Sequence, residues 1–92
     1  MNLSLQQLNR ITELAYRTLP LQHIAYAIEV EELEFIDEVC TPGTVARRAY
    51  MAGVLQQTIE TREFIIKSAR NGSNPAQSEL LRFLNESINI LK

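Results

Sequence analysis

Asn71-Gly72-Ser73-Asn74-Pro75 is the stretch that decides the fold. Glycine readily takes the left-handed backbone that closes helices. Serine or asparagine caps the helix that follows, and proline suits its first turn. The pentapeptide therefore predicts the end of one helix and the start of another. Upstream, Thr41 to Asn71 reads as a single helix, with Thr41 as cap and Pro42 at the first position. Gly43 lets that start slip toward Thr44. Downstream, Ala76, Leu80, Phe83, Leu84, Ser87, Ile88 and Leu91 recur on one helical face. So short a turn makes the two helices antiparallel neighbours. Residues 41–92 are expected to form a helical hairpin whose first arm is longer by roughly ten residues, about 15 Å.

The long arm carries a stripe of Val45, Ala49, Ala52, Leu55, Ile59, Ile66 and Ala69, widened by Met51, Val54 and Ile65. That arc exceeds the usual buried face of a surface helix. Tyr50 and Phe64 fall on the polar side, near Gln57, Glu60 and Lys67. Surplus apolar and aromatic surface points to contacts between copies. The residues expected at such an interface are Tyr50, Met51, Val54, Phe64, Ile65 and Phe83.

Toward the N-terminus, three shorter helices are expected. The first spans Ser4 to Thr18, with Leu5, Leu8, Ile11, Thr12, Ala15 and Leu19 on one face. Pro20 ends it and opens a second, to about Ile28, facing inward through Leu21, Ile24, Ala25 and Ile28. After a break near Glu29-Val30, a third runs from Glu31 to Cys40 with Leu33, Phe35, Ile36 and Val39 toward the core. No segment alternates as a strand would. The chain reads as all-α: a head at 1–40 and a hairpin at 41–92, packed as one compact unit.

A length of 92 residues, 46% of them hydrophobic and 22% charged, describes one small folded domain. The net charge of −2 is unevenly spread. Residues 1–40 hold two arginines against seven acids, and residues 41–92 hold seven bases against four acids. Between Glu29 and Glu38 stand six acids and no base.

Catalytic chemistry finds no purchase. Cys40 and the single histidine, His23, belong to different elements, and no disulfide can form within the chain. Glu31, Glu34 and Glu38 share a helix face but lack the histidine partners of a carboxylate metal bundle. No phosphate-binding loop is present. Neither a cofactor nor a metal is expected, and the chain is not read as an enzyme. The opening residues lack the basic and apolar segments of a secretion signal, and no apolar run reaches membrane-spanning length. The expected compartment is the cytoplasm, that of a host cell if the chain is viral.

Ile11 to Val39 resembles a helix-turn-helix, with Leu21-Gln22-His23-Ile24-Ala25 as its first helix. In DNA-binding versions the second helix enters the major groove. Here that helix is acidic and would repel phosphates. Basic candidates for nucleic-acid contact lie elsewhere, at Arg10, Arg17, Arg47 and Arg48. Arg47 and Arg48 sit at the start of the long helix, where the dipole disfavours cations.

The order of parts resembles small terminase subunits of tailed phages and prophages, over about Ile11 to Leu84. Three phrases carry the resemblance: Leu21-Gln22-His23-Ile24-Ala25, Arg48-Ala49-Tyr50-Met51-Ala52-Gly53 and Ala69-Arg70-Asn71-Gly72-Ser73-Asn74-Pro75-Ala76-Gln77. The family sets a helix-turn-helix-like head before a long helix that folds back, and its hairpins assemble into a ring. The resemblance implies a non-enzymatic homo-oligomer, a ring or a dimer. It would recognise double-stranded viral DNA and regulate the packaging motor, with the large terminase subunit as partner. Two other readings are compatible with the residues: a small dimeric helix-turn-helix DNA-binding regulator, and an adaptor that docks through its acidic helix.

Overall fold

A computed structural model describes residues 1–91, with side chains described for 1–90. Among the described residues there are five α-helices and no strand: α1 Leu5–Tyr16, α2 Leu21–Ala27, α3 Glu32–Cys40, α4 Val45–Arg70 and α5 Asn74–Leu91. By internal contact the chain divides after Gln57. The first unit holds α1, α2, α3 and the start of α4. The second begins at Thr58 and holds the rest of α4 with α5.

In the first unit, α1 opens with a reciprocal cap. The Ser4 hydroxyl accepts from the Gln7 N–H at 3.1 Å, and the Ser4 N–H donates to Gln7 Oε1 at 2.9 Å. Gln7 Nε2 also donates to the Ile28 carbonyl at 3.0 Å, tying α1 to the end of α2. Helix α1 ends before Pro20, through a left-handed corner at Thr18 (φ +65°). There the Thr18 N–H bonds Ala15 O and the Leu19 N–H bonds Leu14 O. Helix α2 ends the same way at Glu29 (φ +60°), with Glu29 N–H to Tyr26 O and Val30 N–H to Ala25 O. Neither corner is glycine.

The carboxylate of Glu31 caps α3 by accepting from the Glu34 N–H. The far end of α3 is closed by three side chains from beyond it. The Thr41 hydroxyl donates to Asp37 O at 2.8 Å, the Thr44 hydroxyl to Glu38 O at 2.6 Å, and Arg47 Nη1 to Val39 O at 3.0 Å. Thr44 then accepts from the Arg47 N–H and caps α4. The long helix therefore starts at Val45 and not at Pro42. The left-handed Gly43 (φ +88°) lies between them and cannot belong to a helical turn.

The core of this unit joins Ile11, Leu14 and Ala15 of α1, Ile24 and Ala25 of α2 with Ile28, Phe35 and Val39 of α3, and Ala46 of α4. Phe35, Ile11 and Ile24 are the largest fully buried side chains. Each stabilises the fold by about 2 kcal/mol. Helix α4 approaches α1 closely at Gly53. A Cβ there would stand 2.8 Å from Ala15 Cβ and from the Tyr16 N, and closer still to the Thr12 carbonyl. Two bonds flank this contact: the Thr12 hydroxyl to Ala49 O at 2.8 Å, and Gln57 Nε2 to Tyr16 O at 2.9 Å.

Several expected faces are rotated. Leu33, expected in the core, is 73% exposed, as is Leu5. Phe35 and Val39, four residues apart, set the inward side of α3, and Leu33 lies about 200° round from Phe35. On α4 the inward side of the first half is Ala46, Ala49, Tyr50, Gly53 and Val54. Val45 and Leu55 of the expected stripe are exposed. Small residues win the core side because only they let the backbones of α1 and α4 approach.

In the second unit, α4 ends at Gly72 (φ +93°), with Gly72 N–H to Ala69 O and Ser73 N–H to Ser68 O. Ser73 caps α5, its hydroxyl accepting from the Ala76 N–H at 3.4 Å. The chain reverses, and Gln77 Nε2 donates back to Ala69 O at 3.1 Å. Further along, Arg62 lies 4.0 Å from the centre of the Phe83 ring and 3.5 Å from the Glu86 carboxylate. The fully buried residues of this unit are Ala69 and Ala76; Leu80 and Phe83 are half-buried. The side chain of Leu91, expected on the same face, lies outside the described residues. Among the described residues, no helix is long and apolar enough to cross a membrane.

Candidate functional site

The four candidate arginines are engaged unequally. Arg10 pairs with Glu13 at 3.0 Å on the open surface. Such pairs are worth about 0–1 kcal/mol. Arg17 Nη1 donates to Glu13 O at 3.1 Å, occupying a carbonyl in the last turn of α1. Arg47 closes α3 through Val39 O. Its unfavourable place at the start of α4 is offset by a favourable one at the end of α3, where a helix dipole attracts cations. Arg48 alone of the four has no side-chain partner among the described residues. These arginines make no shared basic surface with one another by any bond or common ligand.

The acidic segment is solvated. Glu29, Glu31, Glu34 and Asp37 are exposed, and Glu32 and Glu38 half-buried. Among the described residues, no group of three or more His, Cys, Asp or Glu side chains is gathered closely enough to hold a metal. His23 and Cys40 are both exposed. A shallow open groove of about 630 Å³ runs along α1 and the end of α2, lined by Gln6, Asn9, Arg10, Glu13 and Glu29 among others. Its one charged pair is already internally satisfied, and it brings no nucleophile to a base.

The interface candidates divide in two. Tyr50 and Val54 are half-buried against the core of their own unit, so their apolar surface is largely used within the chain. Phe83 is half-buried beneath Arg62 and Arg82, whose guanidinium carbons lie 4.0 and 5.4 Å from the ring centre. Arg82 is held above its usual range by its hydrogen bond to Glu79. Ile65 is half-buried. Met51 and Phe64 are free, at 37% and 69% exposure.

Exposed aliphatic residues of the second unit were not singled out from the sequence. Ile59, Leu81, Leu84 and Ile88 are 50%, 62%, 52% and 51% exposed. Leu81 left a signal in its spacing to Leu84 and Ile88, but the latter two were assigned to the face that meets α4. Comparison with protein-family models, with curated proteins and with solved structures finds no match to this chain.

Proposed function

We propose that this chain is a non-catalytic assembly protein that acts as a homo-oligomer. In this reading the first three helices form a helix-turn-helix-like head, and α4 with α5 forms a helical hairpin that joins copies. The nearest functional type by order of parts is the small terminase subunit, which recognises viral DNA and regulates a packaging motor. One observation carries the assembly reading. The second unit fully buries nothing larger than alanine, yet exposes Ile59, Phe64, Leu81, Leu84 and Ile88. Two helices with so little shared core need a further covering surface, because chains below about 40 residues seldom hold a fold unaided.

Light scattering coupled to gel filtration tests it. The expected mass at micromolar concentration is a multiple of 10.5 kDa, and a clean 10.5 kDa species would overturn the reading. Double-stranded DNA at low salt separates the packaging reading from plain self-assembly. Binding that weakens in Arg48→Glu supports contact through α4. Its absence leaves an assembly protein without a nucleic-acid role.

A second reading is favoured by Leu33, which is 73% exposed on the acidic helix. An apolar side chain among carboxylates suits a basic amphipathic partner, and an adaptor would dock there. Loss of a basic partner in Glu31→Lys/Glu34→Lys supports it.

A further inference from the structure

We infer that one flank of the second unit, carried by Leu81, Leu84 and Ile88 of α5 with Ile59 of α4, is the seam against which a second copy of this chain packs. The inference rests on the assembly reading and names the surface that performs it.

Helix α5 has two apolar sides. One meets α4 through Ala76, Leu80 and Phe83, all buried or half-buried. The other begins at Gln77 and continues through Leu81, Leu84 and Ile88, at steps of four, three and four residues. That is the spacing of a heptad seam, in which side chains of one helix seat between those of another. Each of the three is more than half exposed, so the seam is unoccupied within the chain. Ile59 extends it. It lies about 80° round α4 from the side that meets α5, and in an antiparallel pair this direction falls on the same flank as Leu84.

The residues beside the seam identify the occupant. Ser78, Leu80, Asn85 and Ser87 flank it, and none is charged. The charged groups of α5 sit elsewhere and are already paired: Arg82 with Glu79 and Glu86, and Glu86 with Arg62. A foreign helix chosen by charge would need charges at the flanking positions. A copy of the same helix needs only that nothing repels across a two-fold axis, where each residue meets its own surface again. The area also suffices. The chain exposes 6649 Å². A compact monomer of its mass exposes about 5,400 Å², and a standard interface covers about 800 Å² per partner. The product is a bundle of four helices, with α5 against α5 of the second copy.

The test compares two faces. In gel filtration with light scattering, Leu84→Glu/Ile88→Glu is expected to fall to the 10.5 kDa mass of one chain. Its helicity by circular dichroism should persist, since both side chains are half exposed before assembly. Phe64→Glu, on another side of α4, is expected to keep the assembled mass. If the wild-type chain is itself a monomer, the assembly reading and this seam fall together. If the wild type is assembled and the double variant stays assembled, the seam is wrong and the assembly reading stands. Should the double variant unfold, Leu84→Cys in a Cys40→Ser background decides. A two-fold axis through the seam brings the two introduced thiols together, so oxidation should link most chains in pairs. Phe64→Cys in the same background should not link. Absence of the Leu84→Cys link in an assembled chain overturns the seam.

Discussion

Thr18 and Glu29 occupy backbone conformations that suit glycine. Both sit one residue past a helix C-cap, where the left-handed region closes the last turn. A side chain pays about 1–2 kcal/mol there, most severely when it is β-branched as in Thr18. Glycine removes that cost but also frees the unfolded chain. Thr18→Gly and Glu29→Gly are each expected to stabilise by about 0.5–1 kcal/mol, raising the melting temperature by a few degrees. An unchanged or lower midpoint in thermal denaturation would count against the corners as drawn. Gly53 is the opposite case. Alanine is the better helix former by about 1 kcal/mol, but here its methyl would collide with the backbone of α1. Overpacking of this kind costs about 1–3 kcal/mol, and a backbone oxygen yields less than a side chain does. Gly53→Ala should therefore lower stability, measured as a reduced urea midpoint.

At the scale of elements, boundaries were legible where chemistry is local. Ser4 caps α1, Glu31 begins α3 and Gly72-Ser73 turns α4 into α5, because each device works within four or five residues. The start of α4 slipped to Thr44 because α3 needed its last carbonyls covered, a demand that comes from a different helix. Phase was less legible than boundary. Leucine at position 33 looks like a core residue until the turn at Glu29 fixes how α3 is rotated. Likewise Ala46, Ala49 and Gly53 look like weak candidates until close approach to α1 rewards their small size. Arg47 looked available for a ligand because its target, Val39 O, belongs to a neighbouring element. The rotation of α3 has a direct check. Leu33→Ala should change stability by less than about 0.5 kcal/mol. Phe35→Ala should cost about 3–5 kcal/mol. Equal losses in chemical denaturation would refute the assignment.

The molecule as a whole is joined by one helix of 26 residues that belongs to two compact units. Its first twelve or so residues face a core that contains Phe35, Ile11 and Ile24. The remainder faces a partner helix across alanines. The site was hard to read for this reason: apolar residues that serve the fold and those left open are interleaved on the same two helices. The shared helix also has a kinetic consequence. Backbone amides exchange with deuterated solvent at rates set by the free energy of local opening, which follows the density of buried contacts. In dilute solution, amides from Ala49 to Gln57 should remain protonated far longer than those from Thr61 to Arg70, although no break in the helix separates them. Raising the protein concentration should slow the second set selectively, as a neighbour covers it. Uniform protection along α4 in dilute solution would mean that its two halves open as one.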